Sequence, residues 1–323
     1  MECQVHQLRS QILLFIRKAI YGGLAPFYSN IVIFIKEEGN PMHEWALLIF
    51  TICVQTAIGG MFMLWLFQRE ISKTGKVDSF AILKVPLIII AALSLVGLIA
   101  SFAHLGTPGN ALNTIRNIGS SWMSREILVT GAFIGGACIT AGLTIVQKKI
   151  NSLLMIATVI IGFVDIFCMA MIYSNSLISG WNSINTFTSF YGTAFVLGAV
   201  LVASFTVPAL RTKDMDDTAK KIVRLSFYSA LFGIAIQLVG VALFPASLTD
   251  VNMIAATAAQ SSIEAYQGTI ALRWGIEILG LILLGYMALS PVKKTSIAMA
   301  FAVLIVISFA EGLSRYVFYV LGS

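Results

Sequence analysis

Apolar positions along this chain come in long, nearly unbroken runs separated by short polar segments. From residue 42 onward eight runs are long enough to cross a bilayer: 45–67, 86–103, 126–146, 153–173, 189–210, 225–244, 273–290 and 296–317. Roughly 20 apolar residues in a helix cover the hydrocarbon core, so the pattern predicts an all-α integral membrane protein, a bundle of eight transmembrane helices. The first 41 residues break the pattern. Their apolar pieces, Ile12 to Ile16 and Ile31 to Ile35, are split by Arg17, Lys18 and a Gly-Gly-Leu-Ala-Pro turn. Neither piece reaches spanning length, and no single apolar core with a small-residue cleavage site marks a signal peptide. The expected organisation is an N-terminal extension of open status, residues 1–41, followed by a membrane domain, residues 42–323. Gly59-Gly60, Gly97, Gly131, Gly135-Gly136, Gly192 and Gly198 lie inside the spans, where small residues let helices approach closely. No internal repeat is evident.

Composition supports this class. With 58% hydrophobic and 11% charged residues and a mean hydropathy of +0.89, the chain has too little polar surface to cover a soluble globule of its size. The net charge of +6 does not indicate nucleic acid, because the charges sit in clusters between apolar runs rather than on one face. The segments after the odd-numbered spans hold Arg69, Lys73, Lys76, Lys84, Lys148, Lys149, Arg211, Lys213, Lys220, Lys221, Arg224, Lys293 and Lys294. The opposite side holds only Arg116, Arg125, Arg273 and Arg315. This bias puts the first set in the cytoplasm and both ends of the bundle outside. The five tryptophans, Trp45, Trp65, Trp122, Trp181 and Trp274, fall at span ends or in adjacent loops, where interfacial belts form. Cys3, Cys53, Cys138 and Cys168 show no ligand spacing, and His6, His43 and His104 all lie outside the apolar runs. The chain is therefore expected to hold no iron–sulfur cluster and no haem.

The outer side carries the chemistry. The stretch His104 to Ile127 gathers a histidine, two arginines, a glutamate, three asparagines and a tryptophan between two apolar runs. His104 ends span 2, where an imidazole titrating near neutral pH can take a proton from a substrate hydroxyl and pass it to water. Thr107-Pro108 predicts the start of a short surface helix ending near Asn117, with Ser124 capping span 3. That places Glu126 in a first turn, where the helix dipole alone favours an anion. The other reading of Glu126 is a carboxylate at the mouth of an interfacial pocket, within reach of His104. Arg273 with Glu277 and Glu311 with Arg315 have i, i+4 spacing, which lowers the cost of charge near the bilayer core. Arg273 is also placed to donate to a carbonyl oxygen in a pocket facing the 104–126 loop. Asp165 stands alone in span 4, either in a proton path or protonated and hydrogen-bonded to a neighbouring serine or threonine.

These residues resemble a known family. His104-Leu-Gly-Thr-Pro108 with Ala111, Asn113, Ser124 and Glu126-Ile127 is similar to the outer loop of the dimethyl sulfoxide reductase membrane anchor subunits, related to the nitrite and polysulfide reductase membrane subunits. His43-Glu44-Trp45, Trp181 to Gly198, Arg273, and Glu311-Gly-Leu-Ser-Arg315-Tyr-Val-Phe-Tyr319 extend the likeness from Met42 to the C-terminus. Gly180 departs from it, standing where the family often has proline. The resemblance implies a bacterial inner-membrane anchor that binds menaquinol as substrate near the periplasmic face, oxidises it, and contains no haem of its own. It implies two periplasmic partners, a four-cluster iron–sulfur subunit and a molybdopterin catalytic subunit. The expected site has His104 and Glu126 as catalytic residues, with His104, Trp122, Arg116 and Arg273 binding the quinol and no metal. A second reading is an inner-membrane secondary transporter using Asp165 and the buried pairs as a relay. Such folds show inverted repeats and broken midplane helices, and neither is evident here.

Overall fold

The computed structural model of the protein describes residues 42–104, 117–178, 180–249, 263–291 and 297–320; for residues 42–44, 104 and 246–249 it describes the backbone alone. The N-terminal extension and the surface helix expected after Thr107 lie outside the described residues. Eight helices account for nearly all of the rest: α1 (Met42–Ser72), α2 (Ser79–His104), α3 (Trp122–Gln147), α4 (Ser152–Ser174), α5 (Ile184–Arg211), α6 (Asp216–Thr249), α7 (Gln267–Leu289) and α8 (Ile297–Val320). All eight are long and apolar enough to cross a membrane. Each expected span falls on one of them. The helices generally run longer than the apolar runs, because polar turns such as Gln68–Ser72 and Asp216–Arg224 continue the helix beyond the apolar stretch.

Local chemistry sets the ends. The Ser121 hydroxyl accepts from the Ser124 backbone N–H at 3.4 Å and caps α3. Lys148 closes α3 in the left-handed region at φ 52°. Asn151 Oδ1 then accepts from Leu153 and Leu154 N–H at 3.1 Å and starts α4. The cap of α3 is thus Ser121 rather than Ser124, the residue expected from the sequence. Glu126 falls past the first turn, where the dipole effect that would explain it has faded.

Packing reveals an order that the sequence hides. Helices α1 to α4 form one closed ring of neighbours, α1–α2–α3–α4–α1, and α5 to α8 form a second, α5–α6–α7–α8–α5. The rings meet along α1 and α5, and the cross-contacts α4 with α5 and α2 with α5 are mirrored by α8 with α1 and α6 with α1. This is a parallel repeat about an axis along the bundle. Side chains carry it too, since Tyr173 follows Asp165 on α4 by the same eight positions that separate Tyr319 from Glu311 on α8. The two tyrosine hydroxyls meet at 3.1 Å. The end where they meet, which also carries the 104–122 connection, is called the upper end.

Glycine lets the two rings meet. A Cβ on Gly59 of α1 would overlap the Ala194 carbonyl on α5, and one on Gly198 would run into the backbone of Gly59 and Gly60. On α5 and α6 a Cβ at Gly192 would lie 2.8 Å from the Gly233 carbonyl oxygen. By contrast, Gly131, Gly135 and Gly142 face open space, so the expectation of close packing fails at Gly131 and Gly135. Lipid tails are as apolar as the helices, so association rests on such close backbone packing. Gly59→Ala is therefore expected to cost about 1–3 kcal/mol, as overpacking does. Gly142→Ala should gain about 0.5–1 kcal/mol through helix propensity. Thermal midpoints of the two variants in detergent test this opposite pair of shifts.

Candidate functional site at the upper end of the bundle

Each ring opens into a cavity at its upper end. The first, about 160 Å³, is bounded by Leu47 and Phe50 of α1, Leu98, Ser101 and Phe102 of α2, Glu126, Ile127 and Gly131 of α3, and Tyr173 of α4. Its wall is apolar except for Glu126, Ser101, Thr130 and Tyr173. The open space beside Gly131 is part of this cavity. Behind the wall, Thr130 donates to Asp165 Oδ1 at 2.6 Å, and Asp165 is fully buried. The acidic residue of α4 is thus held by a hydroxyl, one of the two readings open from the sequence.

The second cavity, about 270 Å³, is formed by α5 to α8, with Phe244, Trp274, Val317 and Phe318 as apolar wall and Gln237 and Arg273 among its polar groups. Below it lies a buried network. Glu311 Oε1 accepts from Gln237 Nε2 at 2.7 Å, and Arg273 lies 3.8 Å from the same oxygen and donates to the Gln237 carbonyl. Thr193 donates to Glu311 Oε2 at 2.7 Å and accepts from Arg315 at 3.2 Å, while Arg315 also donates to Gln55 of α1 at 2.6 Å. The Arg315 guanidinium sits 4.0 Å from the Phe190 ring centre, and that of Arg273 3.8 Å from the Trp274 ring, adding cation–π attraction to the hydrogen bonds. The two arginines and the carboxylates Glu277 and Glu311 are all buried, and their formal charges cancel.

The i, i+4 spacing paired these charges wrongly. Arg273 reaches Glu311 on α8 rather than Glu277 on its own helix, and Arg315 reaches α1 and α5 rather than making an ion pair with Glu311. A charge inside a bundle gains more from a neighbouring helix, which can enclose it, than from its own helix face, which leaves it turned outward. An aromatic wall separates the two cavities. Tyr173, at the edge of the first, packs edge-on at 5.3 Å against Phe318, at the edge of the second, and Trp181 donates to the Phe318 carbonyl at 2.7 Å.

The expected site residues therefore divide. Glu126 lines the first cavity and Arg273 the second, so the structure does not bring them into one pocket. Trp122 lines neither. It packs at 5.9 Å against Phe167 and carries the Arg125 guanidinium 4.2 Å over its ring. Arg125 in turn donates to the Ile118 and Gly119 carbonyls at 2.8 and 2.7 Å, fixing the turn before α3. The backbone of His104 ends α2 one turn beyond Ser101; its side chain and all of Arg116 lie outside the described residues. Among the described residues no group of three or more His, Cys, Asp or Glu side chains is placed to hold a metal ion.

The family model described as "DMSO reductase anchor subunit (DmsC)" matches residues 38–321. The chain belongs to this anchor family. Over 203 residues it is 30% identical to a subunit of the anaerobic dimethyl sulfoxide reductase of Haemophilus influenzae, covering 62% of this chain and 68% of that one. It is also 30% identical over 167 residues to the like-named subunit of the Escherichia coli reductase, covering 50% and 58%. To YnfH, a further anaerobic dimethyl sulfoxide reductase subunit of Escherichia coli, it is 27% identical over 172 residues, covering 51% and 58%. As an anchor subunit it is one part of an oxidoreductase complex, held in the membrane by its eight helices.

Several residues of the anchor's upper end carried little signal in the sequence. Thr130 and Tyr173 look like ordinary span residues until α3 and α4 are set side by side. Gln55 and Gln237 did leave a trace, as amides within apolar runs; a polar side chain in a membrane helix needs a partner, and each of these finds an arginine.

Proposed function

We propose that this anchor oxidises menaquinol in the α1–α4 cavity, at the periplasmic face of the bacterial inner membrane. The observation that carries the reading is the Glu126 carboxylate, the one ionisable carboxyl in a mostly apolar cavity at the upper end, beside the end of α2 that His104 forms. A quinol ring is apolar and planar, with a hydroxyl to donate. Its oxidation releases two protons and two electrons, so the site needs a proton acceptor, a route to water and an electron acceptor. Glu126 accepts a proton from the bound hydroxyl, and His104 at the interface passes protons outward. The excess of lysine and arginine at the lower end supports the upper end as the outer one. The electrons leave to a partner docked over the upper end, a four-cluster iron–sulfur subunit, and from there to a molybdopterin catalytic subunit. The reductases named for the relatives support this arrangement.

The parallel repeat is a feature shared with some transporter folds. None of the described helices is interrupted in its middle, which favours the quinol reading. The test is titration of a fluorescent quinol-site inhibitor into the complex carrying His104→Ala or the cavity-filling Ile127→Trp. Affinity is expected to fall about tenfold or more, the loss of one charge-assisted hydrogen bond or of the space itself. Unchanged affinity together with unchanged quinol-dependent reduction in both variants overturns the reading. Solute uptake by proteoliposomes of the isolated chain would favour the transporter.

A further inference from the structure

Most of the polar groups that line the first cavity have a fixed hydrogen-bonding sense. The Ser101 hydroxyl donates to the Leu98 carbonyl at 2.8 Å, and that of Thr130 to Asp165 at 2.6 Å. A hydroxyl has one proton, so toward a bound molecule these two can only accept. Glu126 as a carboxylate also only accepts. Tyr173 differs from them, because its hydroxyl meets a second hydroxyl, that of Tyr319, and either can be the donor.

Tyr319 belongs to α8, in the other ring. It is buried and lines neither cavity. Its hydroxyl lies 3.1 Å from that of Tyr173, 3.3 Å from Thr51 Oγ1 and 3.4 Å from the Leu47 carbonyl, the last two on α1. Thr51 donates to carbonyls of its own helix, Leu47 at 3.0 Å and Leu48 at 3.3 Å, so from Tyr319 it accepts. The chain Tyr173–Tyr319–Thr51 therefore has two arrangements. In one, Tyr173 donates to Tyr319, and Tyr319 to Thr51 or Leu47, which leaves a ligand only the lone pairs of the Tyr173 oxygen. In the other, Tyr319 donates to Tyr173, which frees the Tyr173 proton for a ligand. The second arrangement gives up only the contacts of 3.3 and 3.4 Å, long for a bond between hydroxyl and oxygen, and the Leu47 carbonyl keeps its bond from Thr51. Passing from one to the other takes rotation of the two phenol hydroxyls and breaks no covalent bond.

A quinol and its quinone make opposite demands on such a wall. The quinol hydroxyl has a proton to place on an acceptor, and the quinone carbonyl needs a donor. We infer that Tyr319 is a positioning residue for the quinol site: through its reversible bond it sets the Tyr173 hydroxyl to accept from the quinol before oxidation and to donate to the quinone after it. The inference rests on the menaquinol reading of the first cavity. The protons released still leave through Glu126, and the tyrosines keep their own. Because Tyr319 stands on α8, the second ring takes part in a site that the first ring builds.

The test is displacement of the fluorescent quinol-site inhibitor from the purified complex by a soluble menaquinol analogue and, separately, by its oxidised form, without a terminal acceptor so that no turnover occurs. Tyr319→Phe keeps the ring packed against Tyr173, Trp181 and Phe318 but removes the acceptor for the Tyr173 proton. The variant should bind the quinol about threefold to tenfold more weakly, the worth of one hydrogen bond, and the quinone within about twofold of wild type. A residue that merely braced the wall would weaken both forms alike. Tyr173→Phe should weaken both forms, and adding Tyr319→Phe to it should change neither further. In the wild type, infrared difference spectra between the quinol-bound and quinone-bound complex with isotope-labelled tyrosine should show shifted phenol C–O bands, a readout that needs no variant to fold. Equal weakening of both forms in Tyr319→Phe, no change in either, a further loss in the double variant, or no tyrosine band each overturns the inference and leaves the proposed function standing. Failure of both forms to displace the inhibitor from the wild type would overturn the two together.

Discussion

Glu126→Gln is expected to lower quinol-dependent reduction by about 100-fold or more, the range for removing a positioned general base, while reduction driven by an artificial dye that donates directly to the partner subunits stays unchanged. Glutamine keeps the size and the hydrogen-bonding oxygen of glutamate but cannot take up the proton that the bound quinol has to lose. The variant also separates two accounts of this residue. Had Glu126 been a helix-capping anion, its loss would appear as lower stability with little effect on turnover. The cap, however, is made by Ser121, and Glu126 lies one position beyond the first four residues of α3. Its side chain instead lines the first cavity with Ser101, Phe102 and Tyr173. Steady-state rates with a soluble menaquinol analogue and with reduced dye, on equal amounts of assembled complex, read the difference. Equal loss in both assays, or no loss in either, sinks the assignment.

What the sequence revealed depended on how local the underlying physics is. Spans were legible because a membrane helix advertises itself by length and apolarity alone. Each end signal is good only to within a turn, so Ser124 reads as the cap although Ser121, three positions earlier, makes the bond. Relations between helices were not legible. The spacing of Arg273 with Glu277 and of Glu311 with Arg315 is a true i, i+4 pattern, yet the partners lie on other helices. The parallel repeat left one trace in the sequence, an acidic residue followed eight positions later by tyrosine in α4 and again in α8. Two residues in each of two long apolar runs are too little to stand out until Tyr173 and Tyr319 are seen touching. The same limit explains why the sequence places Glu126 and Arg273 in one pocket: both lie at upper span ends, and only the ring-by-ring packing shows that they serve different ones.

Glu311 is the residue whose loss should damage the fold most. Its two oxygens take hydrogen bonds from Gln237 and Thr193, and it is the counterion nearest Arg273. Through Thr193 it also fixes Arg315, which ties α8 to Gln55 of α1 and so couples the two rings. Glu311→Leu would leave Arg273 charged and buried with no carboxylate within 4 Å, along with an orphaned Gln237 amide N–H, while Thr193 would keep its bond to the Ser189 carbonyl at 2.9 Å. Breaking a buried pair from one side costs about 3–5 kcal/mol, a large share of the stability of most folds. The variant is expected to unfold at markedly lower denaturant and to reach the membrane in reduced amount. Adding Arg273→Met should recover part of the loss, since removing both charges avoids the unpaired one, with a coupling of about 0.5–3 kcal/mol between the sites. Arg315 would remain buried, with the Thr193 hydroxyl and the Gln55 carbonyl as its hydrogen-bond acceptors, so recovery should be incomplete. Unfolding curves for both single variants and the double variant give the cycle. A double variant as unstable as the sum of its singles would mean that Arg273 and Glu311 act independently, and that the network does not hold α7 to α8.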